Sequence, residues 1–407
     1  MRVTLTSPAM NASILAAVPM APRDPILGVT EAFVADQNPR KVNLGVGVYY
    51  DDNGKVPLLE CVRRAERARV EAAPPHSYLP IDGLQAYDRA VMQLVFGAEL
   101  AASGRIVTVQ ALGGTGGLKI GADFLRLLDP KAQVWISEPS WENHRALFEA
   151  AGFKVNAYPY YDAKTHGLDF EGMRAALDKL AAGSVVVLHA CCHNPTGVDL
   201  SEAQWRTVLD IVQRRRLIPF LDLAYQGFAE GIDADGYAVR LFAGAYAPVF
   251  VSSSFSKSFS LYGERVGAFS ALTESADEAA RVLSQVKRIV RTNYSNPPTH
   301  GGQIVATVLA APELRALWEK ELAGMRERIK AMRKALVEKI KARAPQADFS
   351  FVLAQRGMFS YSGLTKEQVA RLRAEYSIYA IDTGRICVAA LNSKNIEYVA
   401  DAIARVI

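Results

Sequence analysis

One lysine, Lys257, stands among serines and small residues in the run SSSFSKSFSLYGERVG (252–267), with Arg265 eight positions on. A lysine that forms a Schiff base needs a deprotonated amine, an approach for a carbonyl and an anion site close by. The hydroxyls of Ser254 and Ser256 and the guanidinium of Arg265 can grip a phosphate while Lys257 reaches an aldehyde. That is the arrangement pyridoxal 5′-phosphate chemistry requires. A solvated lysine in a serine-rich loop is the competing reading, and the segment alone leaves both open.

Other segments offer parts of the same chemistry. Gly113-Gly114-Thr115-Gly116-Gly117 follows the strand-like Arg105 to Ala111 and precedes the helical Leu118 to Leu128. A glycine-rich turn opening a helix presents N–H groups and a positive dipole end to phosphate. Its spacing is not the dinucleotide fingerprint, and a plain strand–helix turn explains it equally simply. Asp222 follows the strand-like IPFL, with Tyr225 three residues on. Ligands gather at the carboxyl ends of strands in open α/β sheets, so Asp222 can pair with a pyridinium nitrogen and Tyr225 can donate to a phenolic oxygen. A turn-capping aspartate is the alternative. Asn194-Pro195-Thr196-Gly197 reads first as a turn, although the Asn194 amide can serve the same oxygen. Trp141 and His144, in SWENH, sit near another strand end, where a tryptophan is core or a stacking partner for a ring. Arg385 and Arg291 are candidates for carboxylate binding through the guanidinium fork. An arginine in a strand-like segment is ordinarily an edge residue.

These residues need a scaffold that gathers strand ends. At 407 residues, half apolar and 22% charged, the chain has the size for two domains and the composition of a soluble enzyme. The net charge of +5 is spread along the sequence, and Arg214 to Arg216 is too short for a nucleic-acid patch. Four cysteines make no disulfide framework, and no His/Cys spacing suggests a metal. No run of eighteen uncharged apolar residues predicts a membrane span. The N-terminal segment, interrupted by Pro8 and Pro19, argues against a signal peptide, and Met1 and Met10 are alternative native starts. A cytoplasmic location follows as the expectation. Apolar runs Gln133–Ile136, Ser184–His189 and Pro219–Leu221 alternate with helical segments such as Glu202–Arg214, which predicts an α/β domain. Glu313 to Ala342 is one long charged helix crossing between domains. Lys366–Glu375 is a further helix, and Lys41 to Leu59 reads as strand with a turn at Asp52-Asn53-Gly54.

Taken together, GGTGG, SWENH, HNPTG, LDLAYQGF, SFSKSFSLYGERVG, NYSNPP and GRICVAALN resemble, in order, the aspartate and aromatic aminotransferases of class I. The likeness runs from about Asp24 to the C-terminus. It implies a fold-type I enzyme: a large domain with a mostly parallel seven-stranded sheet between helices (56–320) and a smaller α+β domain built from 24–55 and 321–407, after an N-terminal arm (1–23). It implies that Lys257 carries pyridoxal 5′-phosphate and moves the substrate proton, with Asp222 on the pyridinium and His144 behind it. Asn194 and Tyr225 serve the phenolic oxygen and Trp141 stacks. Gly114, Thr115, Ser254, Ser256 and Arg265 hold the phosphate, and Tyr78 reaches it from a second subunit. Arg385, Asn194, Trp141 and the Gly47 backbone take the α-carboxylate. Arg291, from the partner, takes a distal carboxylate, so the resemblance implies a homodimer with shared sites, acting on amino acids and 2-oxo acids rather than on nucleic acid or membrane.

Substrate range is less direct. Tyr50 and Val56 stand where strict aspartate enzymes tend to carry lysine and threonine, and MFSYSGL and GRICVAALN are close to the aromatic subgroup. Thr115 and Asn296 lean the other way, and Ser77 decides nothing. The expectation is an aromatic-amino-acid transaminase that also takes aspartate, with 2-oxoglutarate or oxaloacetate as acceptor. A strict aspartate enzyme is the alternative. A β-lyase, decarboxylase or synthase on the same fold and a non-catalytic regulator are further ones. Such regulators carry an added DNA-binding region, and the segment before Asp24 is too short for one.

Overall fold

The computed structural model describes residues 13–21 and 27–407, so Pro8, Met10 and Asp24 lie outside the described residues. Its centre is a seven-stranded sheet. The strands are β1 (Ile106–Leu112), β2 (Gln133–Glu138), β3 (Lys154–Pro159), β4 (Val185–His189), β5 (Ile218–Leu223), β6 (Val249–Ser254) and β7 (Val266–Leu272). Their spatial order is β1-β7-β6-β5-β4-β2-β3. Only β7 runs antiparallel to its neighbours.

Parallel strands carry crossover helices on both faces, so their residues are apolar on both sides. Val185, Val187, Phe220, Phe250 and Phe269 enter one core. Val186, Leu188, Leu221, Val249 and Val251 enter the other. This is the period-two alternation of a pleated strand. The helix Gly113–Leu128 presses directly on the sheet. A Cβ at Gly117 would lie 2.6 Å from the Ala268 carbonyl oxygen, and one at Gly121 would lie 2.5 Å from Phe220 Cζ. The glycines of this helix are therefore needed as much for close packing as for phosphate.

The helix Glu202–Arg215 begins with a capping box between Ser201 and Gln204, which satisfies two backbone donors reciprocally. The 32-residue helix Pro312–Arg343 matches the long charged stretch in the sequence. Its Trp318 donates from Nε1 to the Ser258 carbonyl at 2.7 Å and stacks on Phe259, anchoring the turn that carries Lys257.

The region Lys41–Leu59 departs from its strand-like reading: only Val42–Asn43 is strand. Those two residues pair in parallel with Ile378–Tyr379. The remainder is irregular because its backbone bonds go to distant elements, as in Tyr50 N to Ala389 O and Tyr49 N to Tyr262 Oη. The turn at Asp52-Asn53-Gly54 is present, held by Asp51. Among the described residues no helix is long and apolar enough to cross a membrane.

Candidate active site

The parallel strands β1, β2, β4, β5 and β6 end at one edge of the sheet, and the predicted residues follow those ends. Gly114 and Thr115 come after β1, Trp141 and His144 after β2, Asn194 after β4, Asp222 and Tyr225 at the end of β5, and Ser254, Ser256 and Lys257 at the end of β6. Because β7 is antiparallel, its beginning lies at this same edge, and Arg265 immediately precedes it. All of these but His144, which is buried behind Asp222, line one pocket with space of ≈ 140 Å³. Leu118, His189, Ala224 and Tyr262 line it too and were not expected there. The strand-end rule would have found His189, the last residue of β4, and Tyr262 lies within the lysine-bearing motif.

Lys257 is mostly buried, and among the described residues its Nζ has no hydrogen-bond partner; it lies 4.7 Å from the centre of the Tyr225 ring. Burial pushes its amine down to about 8, opposed by Asp222 and assisted by Arg265. Burial, rather than a neighbouring cation, is thus the larger cause of its free amine. Asp222 is buried, and its Oδ2 lies 2.9 Å from His144 Nε2. Burial would raise this carboxyl, but the His144 hydrogen bond and the neighbouring His144, His189 and Lys257 hold it below the usual carboxylate range.

At the other end of the pocket, Ser254 Oγ accepts from Ser256 N at 3.3 Å. Arg265 donates from Nη1 to Ser256 Oγ at 3.2 Å and to the Tyr262 carbonyl at 3.0 Å. A Cβ on Gly113 would lie 2.3 Å from Arg265 Nη2. Only a bare backbone lets the guanidinium lie across the start of the helix. Exposed Thr115, the hydroxyls of Ser254 and Ser256, the helix N-terminus and Arg265 form a cationic, donor-rich cradle suited to a phosphate dianion. An amine and a carboxylate oxygen without hydrogen-bond partners among the described residues, together with this cradle, match in chemistry the three parts of pyridoxal phosphate: aldehyde, ring nitrogen and phosphate.

Arg385 does not take the edge place that an arginine in a strand-like segment ordinarily has. It lies in the strand Arg385–Cys387 but is only 1% exposed. Its Nη1 donates to Asn194 Oδ1 at 3.0 Å, its Nη2 to the Gly45 carbonyl at 2.6 Å, and its guanidinium stacks on Phe359 at 4.4 Å. Among the described residues its buried Nε has no partner. Gly47 makes room for this stack, since a Cβ there would meet Phe359 Cζ at 2.7 Å. The carbonyl that orients Arg385 is that of Gly45. Phe359 also meets Tyr225 edge-on at 5.9 Å, and buried Arg333 holds its strand through the Gly357 and Phe359 carbonyls. Nothing local in MFSYSGL marks Phe359 for this part.

Tyr78 and Arg291 are not brought into the pocket. Tyr78 is 92% exposed. Arg291 lies in the last turn of the helix Ala276–Asn293, not in a strand, and its Nη1 donates to Ser295 Oγ. Tyr78, Ser77 and Asn296 instead line a separate surface groove. Tyr50 is half-buried against the core and Val56 is exposed.

A parallel-rich sheet sandwiched between helices, with lysine, aspartate and phosphate cradle at its carboxyl edge, defines the fold-type I class. Residues 39–403 match the family of class I and II aminotransferases, and the chain belongs to that family. It is 62% identical to an aspartate aminotransferase of Pseudomonas aeruginosa over 97% of this chain and 100% of that one. It is 50% identical to an aromatic-amino-acid aminotransferase of Escherichia coli over 94% of this chain and 97% of that one. The crystal structure of the aromatic-amino-acid aminotransferase of Burkholderia pseudomallei, covalently bound to pyridoxal phosphate, superposes with a TM-score of 0.95. It is 68% identical, over 97% of this chain and 100% of that one.

Proposed function

We propose that this chain is a pyridoxal 5′-phosphate-dependent aromatic-amino-acid transaminase that also accepts aspartate, using 2-oxoglutarate or oxaloacetate as acceptor. The observation that carries the reading is one pocket in which partnerless Lys257, His144-backed Asp222 and the Arg265 cradle meet at the carboxyl ends of the strands. Named relatives of both specificities support the pair of activities.

Lys257 would hold the aldehyde carbon, Asp222 the ring nitrogen, Asn194 and Tyr225 the phenolic oxygen, and Trp141 a ring face. Gly114, Thr115, Ser254, Ser256 and Arg265 would hold the phosphate. When bound, this group supplies a ring that takes up the electron pair left at the substrate Cα. Arg385 binds the substrate α-carboxylate through its fork, with its unpartnered Nε and Asn194 completing the site. Lys257, its amine pushed down to about 8 by burial, has an appreciable uncharged fraction near neutral pH and in that form takes the substrate Cα proton and holds it within the site. Asp222 stays ionised throughout, so positive charge is held where the electrons flow. Substrate amine and acceptor oxoacid occupy the site in turn, which predicts ping-pong kinetics.

The active assembly is a homodimer in this reading. Exposed Tyr78 and Arg291 support it, since each has the chemistry for the site but faces away from its own pocket. Arg291 would meet a distal carboxylate in the partner's site and turn aside for an aromatic ring, because a buried guanidinium without a partner is costly. In this reading the chain divides into an arm (1–23), a large domain (56–320) and a small domain (24–55 with 321–407); the joining of 24–55 to 321–407 is supported by the pairing of Val42–Asn43 with Ile378–Tyr379 and by the Arg385 bond to the Gly45 carbonyl. Four buried, unpaired cysteines accord with a cytoplasmic location.

The test is a half-reaction. The cofactor-loaded enzyme is mixed separately with L-tyrosine, L-phenylalanine and L-aspartate, and the visible band of the cofactor is followed as it converts to the amine form. Comparable conversion by all three establishes the broad enzyme. Rapid conversion by aspartate alone establishes the strict aspartate enzyme and removes the argument from Tyr50 and Val56.

A further inference from the structure

Gln110 lies in β1, two residues before its end, and is 1% exposed. All four of its polar groups are committed, and none to a strand neighbour's side chain. Its N–H donates to the Asp82 carbonyl at 2.8 Å. Its carbonyl accepts from Tyr294 Oη at 3.4 Å. Its Oε1 accepts from Leu84 N at 3.3 Å, and its Nε2 donates to the Pro298 carbonyl at 2.8 Å. Two glycines make room for it. A Cβ at Gly83 would lie 2.4 Å from Gln110 Cβ, and one at Gly302 would lie 2.5 Å from Gln110 Nε2.

The two segments so tied lie outside the pocket and carry Tyr78 and the residues that follow Arg291. Asp82–Leu84 ends the run that presents Ser77 and Tyr78. Tyr294–Pro298 follows Arg291 and contains Asn296. Tyr78 and Asn296 line one surface groove. A second link runs parallel to the first: Lys287 Nζ, on the Arg291 helix, lies 3.0 Å from Asp82 Oδ2. A buried amide with both ends satisfied is a rigid spacer, because neither segment can shift without leaving a buried donor or acceptor unpaired.

We propose that Gln110 is a positioning residue for substrate selection: one amide fixes the spacing between the Tyr78 segment and the Arg291–Asn296 segment, and so sets how well a distal carboxylate is held. The proposal rests on the reading above in which Arg291 serves the partner's site.

Gln110→Met keeps length and removes both side-chain hydrogen bonds. Gln110→Glu keeps the acceptor for Leu84 and loses the donor to Pro298. The cofactor-loaded variants are titrated with succinate and with 3-phenylpropionate, which carry no amine or keto group and cannot react. Expected for Gln110→Met is a rise of about tenfold in the succinate Kd, the size of two modest hydrogen bonds, with the 3-phenylpropionate Kd within about twofold. Gln110→Glu should show the succinate loss with cofactor retention unchanged, and it carries the test alone if Gln110→Met fails to fold. Equal weakening of both ligands together with a lowered Tm, or no weakening of either, overturns the proposal. Arg291→Ala is titrated alongside. Unchanged succinate binding in Arg291→Ala means the distal-carboxylate reading itself has failed; weakened binding there with normal binding in both Gln110 variants means that only the Gln110 proposal has.

Discussion

His144 bridges two strand ends: its Nε2 lies 2.9 Å from Asp222 Oδ2 and its Nδ1 lies 2.9 Å from Ser140 Oγ. Both ring nitrogens are thereby used, and the carboxylate is fixed in direction with its second oxygen left for the pocket. His189 packs against the same imidazole at 4.9 Å and is held well below the usual histidine range, first by burial and then by its two histidine neighbours. The surroundings of Asp222 therefore favour its ionised form without offering it a competing strong base.

Asp222→Ala should weaken cofactor retention and slow Cα proton removal, measured by dialysis and by the single-turnover half-reaction. The pH dependence follows from sign. The folded pKa of Asp222 is depressed, so its contribution is complete above the ordinary carboxylate value and is lost only as pH falls through the lower folded value. His144→Ala removes the hydrogen bond that offsets burial, and should move the acid limit of cofactor retention upward in pH.

Lys257→Ala should retain pyridoxal phosphate through the cradle and lose transamination by on the order of 10⁴-fold or more, as expected when the proton-transfer base is removed. Near-normal turnover would end the proposed mechanism. In the cofactor-free protein the Lys257 amine titrates near 8. The rate of cofactor capture, read by absorbance in a stopped-flow experiment, should rise with pH and level off above about 8. A rate still climbing at pH 10 would show an ordinary exposed lysine. The same depressed value makes folding stability rise between about 8 and 10.5, because the unfolded chain binds the proton that the folded one has lost.

Arg385→Lys should raise KM for every amino acid by roughly 10- to 100-fold, since ammonium cannot reproduce the fork and loses the Phe359 stack. Arg291→Ala should raise KM for aspartate and leave phenylalanine near its wild-type value. Steady-state kinetics with both substrates separates the two arginines.

Gly267→Ala would place a Cβ 2.3 Å from the Gly113 carbonyl carbon, a backbone atom that cannot step aside. The strand β7 and the start of the cradle helix must part. A stability loss of about 1–3 kcal/mol is the expected cost of such overpacking, together with weakened phosphate binding. Thermal denaturation and cofactor titration of the variant measure the two effects.

The alternation of apolar runs and helices, the glycine-rich turn and the lysine-bearing serine run were legible because each is a local property of the chain. Their boundaries came within a few residues: Glu202–Arg215 and Pro312–Arg343 were both foreseen almost whole. Lys41–Leu59 was misread because its apolar residues are strand-like, while its hydrogen bonds are made to residues hundreds of positions away. The place of Arg385 beside Asn194 comes from the family resemblance, because side-chain type alone does not show that Asn194, Gly45 and Phe359 surround it.

By itself the sequence determined which chemical groups are present, in what order, and that the strands would be buried on both faces. Tertiary structure decided which groups meet. The one antiparallel strand brings Arg265 to the edge where the parallel strands end. Burial lowers the Lys257 amine. The exposed faces of Tyr78 and Arg291 remain outside a pocket their own chain builds. Those outcomes depend on strand direction, desolvation and long-range packing, which no local run of residues encodes.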